Sequence, residues 1–330
     1  MKSGSNCNTP ADVFHVGIDV SKDTLAVNAS EAFTKTIPNN RKSIHKMVRT
    51  VRKTVGRDRK ILFVFEDTGH YSLPLLLELD KLGEQSHVAN AARVRHFAQA
   101  RGVGAKTDPV DAAVIRDYAE TMRPEPTEIP SDSHLRLKEL HRTRSLMVKI
   151  SIMVSNLLTA TTNRTCREVL RDTIRLIDKR IEKIDSEMET TISENVEMRE
   201  MADELAKIEG VGKTTAAAVL AGVPEIGTMG KRRIVSILGL APFVRQSGKW
   251  KGKSCTGGGR SEVRRCLYMP AMSAASNNPV LKVFYERLVA EGKPKQLALV
   301  ATMRKLAIHM ERVVHRVRQR HNAEGANSAV

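Results

Sequence analysis

The 330-residue chain lacks the features that would carry it into or across a membrane. No apolar run approaches the ~20 residues a bilayer span requires. The opening MKSGSNCNTPADVF has no charged start followed by a hydrophobic stretch, so neither export nor membrane insertion is expected. Cys7, Cys166, Cys255 and Cys266 form no CxxC pair, and no nearby His completes a zinc pattern; reduced thiols of a cytoplasmic protein are the simplest account. Acid is in short supply: 37 Asp+Glu face 54 Lys+Arg, a formal net charge of +17. Such a surplus is unusual for a metabolic enzyme and common where the partner is a polyanion, which makes nucleic acid the leading ligand class. Glycine and proline are missing altogether from 134 to 206.

Residues 13–37 read as strands around a tight turn, VFHVGIDV, TLAVNA and AFTKTI. A basic helix near 41–55, the strand KILFVFE, the helical YSLPLLLELDKLG, the strand QSHVAN and helices over 91–121 continue an alternating pattern. One α/β mixed-sheet domain over 12–125 is expected. Proline-rich MRPEPTEIPSDS then marks a boundary. The stretch without glycine or proline carries Leu, Ile, Met and Val at helical spacing among dense charges, which predicts long coiled-coil helices within a second segment, 126–206. A mainly helical third segment over 207–318 and a disordered tail over 319–330 complete the expected organisation.

Four carboxylates stand out on this basic chain. Asp19 lies in the strand VGIDVSK, Glu66 closes ILFVFE, and Asp108 and Asp111 open a helix in KTDPVDAAVI. Hard oxygen ligands converging from separate elements suit a two-metal phosphodiester site with Mg²⁺, or Mn²⁺ in its place. Each also has a structural explanation. Asp108 is an apt N-cap before Pro109, and Asp111 complements the helix dipole. Asp19 could end a strand and Glu66 could be a buried, paired acid. Capping and metal binding are compatible, since residues i and i+3 share a helix face.

In IEGVGKTTAAAVLAGV, Gly210 and Gly212 precede a helix opened by Lys213 and Thr214. The GxxxxGK[ST] spacing of a nucleotide-binding loop is absent, so a helix-hairpin-helix-like contact to a nucleic-acid backbone fits better, with a plain glycine turn as the alternative. Residues 243–266 carry Arg245, Lys249, Lys251, Lys253, Arg260, Arg264 and Arg265 against the single acid Glu262, together with the only tryptophan, Trp250. A flexible loop that follows a phosphate backbone and stacks on a base or sugar is expected there. Composition does not choose a nucleophile among its serines, Ser247, Ser254 and Ser261.

Taken together, GIDVSKDTL, FEDTGHY, AKTDPVDA, IEGVGKTTA, LGLAPFVRQSGKWKG and GGGRSEVRRCLYMPAM resemble the DEDD-type insertion-sequence transposases, a family that includes pilin-gene invertases and bridge-RNA-guided recombinases. The resemblance runs over about 13–315. It implies an RNase H-like (RuvC-like) domain with its tetrad at Asp19, Glu66, Asp108 and Asp111, then a coiled coil and a helical transposase domain. It further implies a serine nucleophile, matched by Gln246-Ser247-Gly248, although Lys249-Trp250-Lys251 departs from the Ser-rich stretch of relatives. The implied activity is site-specific recombination of donor and target DNA through a covalent phosphoserine link assisted by Mg²⁺. A structured guide RNA, dimers pairing into tetramers, a site assembled between protomers and a place at the bacterial nucleoid are implied with it. Two competing readings are a RuvC-like nuclease that hydrolyses DNA with water, and a non-catalytic architectural protein.

Overall fold

The computed structural model describes residues 13–30, 33–56, 59–69, 71–102, 108–243, 246–247, 250–252 and 255–327. The chain divides into two compact units, residues 1–129 and 130–330.

The first unit holds β1 (Phe14–Val20), β2 (Thr24–Ser30), β3 (Phe33–Pro38), α1 (Arg41–Val55), β4 (Ile61–Glu66), α2 (Leu73–Lys81), β5 (Gln85–Ala89), α3 (Ala91–Ala100) and α4 (Asp108–Met122). Its mixed sheet has the order β3-β2-β1-β4-β5. The first three strands pair antiparallel, while β4 lies parallel to both β1 and β5. The β-branched and aromatic runs of β1 and β4 form the centre of the sheet because both of their faces are covered. On one side Val16, Ile18, Ile61, Phe63 and Phe65 pack with Ile44 and Val51 of α1 and Leu75 and Leu79 of α2. On the other side Leu62 and Val64 pack with Val94 of α3 and Val114, Ile115 and Tyr118 of α4. The Asn40 side chain accepts from the Ser43 N–H at the start of α1.

One contact fixes α4 on the sheet. A Cβ added to Gly17 of β1 would stand 2.1 Å from the Ala112 carbonyl oxygen and 2.5 Å from the Arg116 nitrogen. Only a residue without a side chain lets the α4 backbone approach the strand this closely. Arg116, one helical turn on, donates to Asn28 at 2.7 Å, and Asn28 is the strand partner of Gly17.

The second unit opens with a helical hairpin, α5 (Asp132–Ala160) and α6 (Arg164–Ser193). Ser131 and Asn163 cap the two N-termini, and Arg144–Asp185 and Arg136–Glu187 ion pairs tie the two helices together. There follow α7 (Val196–Ala206), α8 (Lys213–Gly222), α9 (Gly230–Ile237), the two-residue strands β6 (Pro242–Phe243), β7 (Gln246–Ser247), β8 (Trp250–Lys251) and β9 (Cys255–Thr256), then α10 (Ser261–Cys266), α11 (Tyr268–Asn277), α12 (Pro279–Ala290) and α13 (Lys295–Asn327).

The sequence separates a coiled-coil segment from a third domain at 206/207, whereas the structure joins them. Leu137, Met188 and Ile192 at the hairpin base share one core with Met201 and Leu205 of α7, Leu220 of α8 and Leu306 and Met310 of α13. The expected tail also differs: α13 continues to Asn327 rather than ending at 318. His321 beyond that point bonds Glu200 of α7 at 3.0 Å, so the last turns have a partner to pack on.

A buried acid organises the centre of this unit. The Glu311 carboxylate, 3 % exposed, accepts from the Gly227, Met229 and Gly230 N–H groups at 2.8, 3.0 and 2.8 Å. These bonds satisfy backbone donors at the start of α9, which has no side-chain cap of its own. Glu311→Ala leaves buried donors without an acceptor and is expected to destabilise the protein by about 3 kcal/mol. Thermal unfolding monitored by circular dichroism tests this; an unchanged midpoint contradicts it.

Candidate functional site

Asp19 and Glu66 stand at the ends of neighbouring parallel strands. The register pairs Ile18 with Phe65, and each acid follows directly. Because strand side chains alternate, both fall on the face opposite Ile18 and Phe65, the face covered by α4. Both are half-buried, at the carboxyl ends of β1 and β4. In open α/β sheets ligands bind at this end of the strands, where connections diverge to the two sides.

Helix α4 lies on that face. Asp108 is the first residue of the helix, and half-buried Asp111 lies one residue before the Ala112 contact with Gly17. The side chain of Asp108 lies outside the described residues. Among the described residues no three His, Cys, Asp or Glu side chains form a group able to hold a metal ion. The donor set itself, carboxylates from two strands and one helix, is of the hard oxygen type that suits Mg²⁺ or Mn²⁺. Arg116 is absent from the sequence-based candidates; its side chain, 14 % exposed, lies on the same covered face and bonds Asn28 and Asp117. A mid-helix arginine gives no sequence signal for such a contact with a neighbouring strand.

The glycine turn at 210–212 divides into two functions. Gly210 has φ +93°, and a Cβ there would meet the Ala274 nitrogen at 2.7 Å and the Pro270 carbonyl at 2.9 Å. It is a packing glycine that lets the turn lie against α11. Gly212 opens on free space and precedes α8, whose N-terminus has no side-chain cap. Lys213 and Thr214 are exposed beside it, with the Lys213 ammonium 3.5 Å from Glu189. This end of α8 retains backbone donors for an anion.

The basic segment, expected as a loop, folds as two short antiparallel ladders. Pro242 and Phe243 pair with Thr256 and Cys255, while Gln246 and Ser247 pair with Lys251 and Trp250. Ser247 is exposed, directly across the ladder from Trp250. Arg245, Gly248, Lys249, Lys253 and Ser254 lie outside the described residues, as do the side chains of Gln246, Trp250 and Lys251. Ser261 opens α10 and is exposed.

Two arginines expected to face nucleic acid have internal partners. Arg260 forms a fork with Glu225 at 2.9 and 2.6 Å and donates to the Gly222 carbonyl at 3.0 Å. Burial pushes the Glu225 carboxyl up, but the Arg260 hydrogen bond and charge outweigh it and hold the group below the usual carboxylate range. Arg264 donates to the Leu238 and Gly258 carbonyls at 3.1 and 2.6 Å. Both arginines anchor the base of the ladders. Arg265 is exposed and keeps its guanidinium toward solvent.

Two transposase profiles match successive parts of the chain, the first running from the sheet-bearing unit into α6. A DEDD transposase profile, described as a transposase, matches residues 16–166, and the profile described as the transposase IS116/IS110/IS902 family matches 202–286. The pilin gene-inverting protein of Moraxella bovis is 26% identical over 309 residues, covering 88% of this chain and 92% of that protein. That of Moraxella lacunata is 25% identical over 307 residues, with 88% and 92% covered. An uncharacterized 43.6 kDa protein of insertion element IS110 from Streptomyces coelicolor is 29% identical over 120 residues, covering 36% of this chain and 29% of that protein.

Proposed function

Because the chain belongs to the DEDD-type insertion-sequence transposase family, whose members are DNA recombinases, we propose that it cuts and rejoins DNA through Ser247. The observation that carries the reading is the position of Asp19 and Glu66 at adjacent strand ends on the face that α4 covers. The β3-β2-β1-β4-β5 order supports an RNase H-like, RuvC-like assignment for this unit. Asp19, Glu66, Asp108 and Asp111 are the residues that would hold Mg²⁺. When bound, the ion would supply Lewis-acid stabilisation of charge on the phosphate.

In the proposed reaction the Ser247 oxygen forms a bond to the scissile phosphorus as the bond to the departing DNA oxygen breaks, and the serine proton ends on the departing strand or solvent. One phosphodiester replaces another, so the energy for rejoining is kept in the phosphoserine link. The exposed position of Ser247 on a ladder supports this role, since a nucleophile must reach a backbone much larger than a pocket. The exposed end of α8 at Gly212, Lys213 and Thr214, and the cations Arg245, Lys249, Lys251, Lys253 and Arg265, would hold the DNA backbone. A structured guide RNA remains part of the proposal, supported by the net charge of +17. Leu146, Ile152, Met153 and Leu157 are exposed along the hairpin and support homo-oligomers, dimers pairing to tetramers.

Asp19→Asn tests the acids. The substitution keeps the shape and removes a charge, so strand cleavage is expected to fall on the order of 10³-fold, with the unfolding midpoint and DNA affinity retained. Cleavage at the native rate would remove the tetrad from the mechanism.

A further inference from the structure

Helix α13 carries its cations on two sides, and the two sides are treated differently. Toward the core, Arg318 donates to the Pro224 carbonyl at 2.7 Å, His315 bonds the Gly227 carbonyl at 2.7 Å, and His321 bonds Glu200. On the outer side Lys305, His309, Arg312, Arg316 and Arg320 recur at steps of four, three, four and four residues, and all five are exposed. That spacing sets them along one helical face about 22 Å long. Among the described residues no carboxylate comes within ion-pair distance of Lys305, Arg312 or Arg316. The one acid in this part of the helix, Glu311, points into the core, bound to backbone N–H groups.

Like charges at i, i+3 and i, i+4 repel, so the row is costly to the free helix unless it serves a partner. Partial burial, and after it the Arg316 and Arg312 charges, hold the His309 imidazole below its usual pKa. Acids appear only near its far end. Arg320 is 3.8 Å from Glu200, and the Glu204 carboxyl, held below its ordinary value chiefly by its bond to Lys207, is also influenced by Arg320 and Arg316. At the near end the Lys305 ammonium sits 4.3 Å from the centre of the Phe284 ring, which fixes it without neutralising it.

We propose that this outer face of α13 is a docking track for the phosphodiester backbone of duplex DNA, on an element other than the serine-bearing ladders and α8. The occupant is the DNA that the proposed reaction cuts and rejoins, in keeping with the transposase profiles; folded RNA presents the same repeating phosphate and is the alternative that the test separates. The inference rests on the reading that nucleic acid is the partner but not on the chemistry at Ser247.

The test uses the full chain carrying Lys305→Gln, Arg312→Gln and Arg316→Gln together. A control of equal charge change, Arg171→Gln, Lys179→Gln and Lys183→Gln, lies on the helical hairpin. Affinities for a labelled duplex and for a labelled folded RNA are measured across a salt series. For duplex DNA the track variant should bind at least about tenfold more weakly at moderate salt, and the slope of log affinity against log salt should become shallower by about 2 to 3. A loss with the duplex supports the track as a DNA site, and a loss confined to RNA overturns it. Equal behaviour of track and control variants with both ligands overturns the inference. A native chain that binds neither ligand would instead refute the nucleic-acid reading itself. His309 gives an independent readout, since its pKa followed by NMR should rise when phosphate docks beside it.

Discussion

Ser247→Ala is expected to reduce strand exchange on the order of 10⁴-fold or more, because removing a nucleophile leaves only background chemistry. Affinity for duplex DNA should stay near that of the native chain. Ser247 is exposed on a two-residue strand and contributes no packing, so its hydroxyl can be deleted without disturbing the fold. The measurement is recombination of a paired-site substrate alongside a binding titration of the same preparation. Because Ser254 and Ser261 lie in the same basic segment, their alanine variants serve as comparisons and should retain exchange. Full activity in Ser247→Ala would pass the role to another group.

Gly17→Ala carries the second large effect. A methyl group 2.1 Å from the Ala112 carbonyl cannot be accommodated by rotating a side chain, since both obstructing atoms belong to the α4 backbone. The helix must lift from the sheet, and the expected destabilisation is about 3 kcal/mol or more, enough to lower the unfolding midpoint by roughly 10 °C. The same displacement would carry Asp108 and Asp111 away from the face of Asp19 and Glu66, so cleavage should be lost along with stability. Asp19→Asn separates the two consequences, because it should lose cleavage at a native unfolding midpoint. A Gly17→Ala protein with native stability would show that α4 does not rest on β1 as described.

Local signals made parts of this fold readable. Helix α1 begins at the Asn40 cap and stops before Gly56, so its limits are written in the residues themselves. The hairpin of α5 and α6 follows from a long stretch without a helix breaker, and β4 from ILFVFE. The acids were legible as a set, since an Asp within β1 and a Glu closing β4 are costly to bury without a partner. The common face of Asp19 and Glu66 was not, because it depends on the parallel register of Ile18 with Phe65.

Long-range partners account for what the sequence concealed. Counting cations placed Arg260 among the nucleic-acid contacts, but Glu225, well upstream in the turn between α8 and α9, takes its guanidinium. The final residues read as a tail because alanine, asparagine and glycine accumulate there, yet Glu200 of α7 gives His321 a place to bind and the helix continues. The apolar periodicity of α6 and α7 revealed helices without revealing that their lower turns share a core with α13. Periodicity reports a buried face, not its neighbour.

The central claim is that DNA is joined to Ser247 during the reaction, and the most direct test is to quench the reaction with denaturant and isolate end-labelled DNA attached to protein. Proteolysis and mass spectrometry should then locate a nucleotide on the peptide containing Gln246 and Ser247, with no adduct formed by Ser247→Ala. Cleaved DNA that is entirely free of protein under those conditions would contradict the account and identify the enzyme as a hydrolytic nuclease.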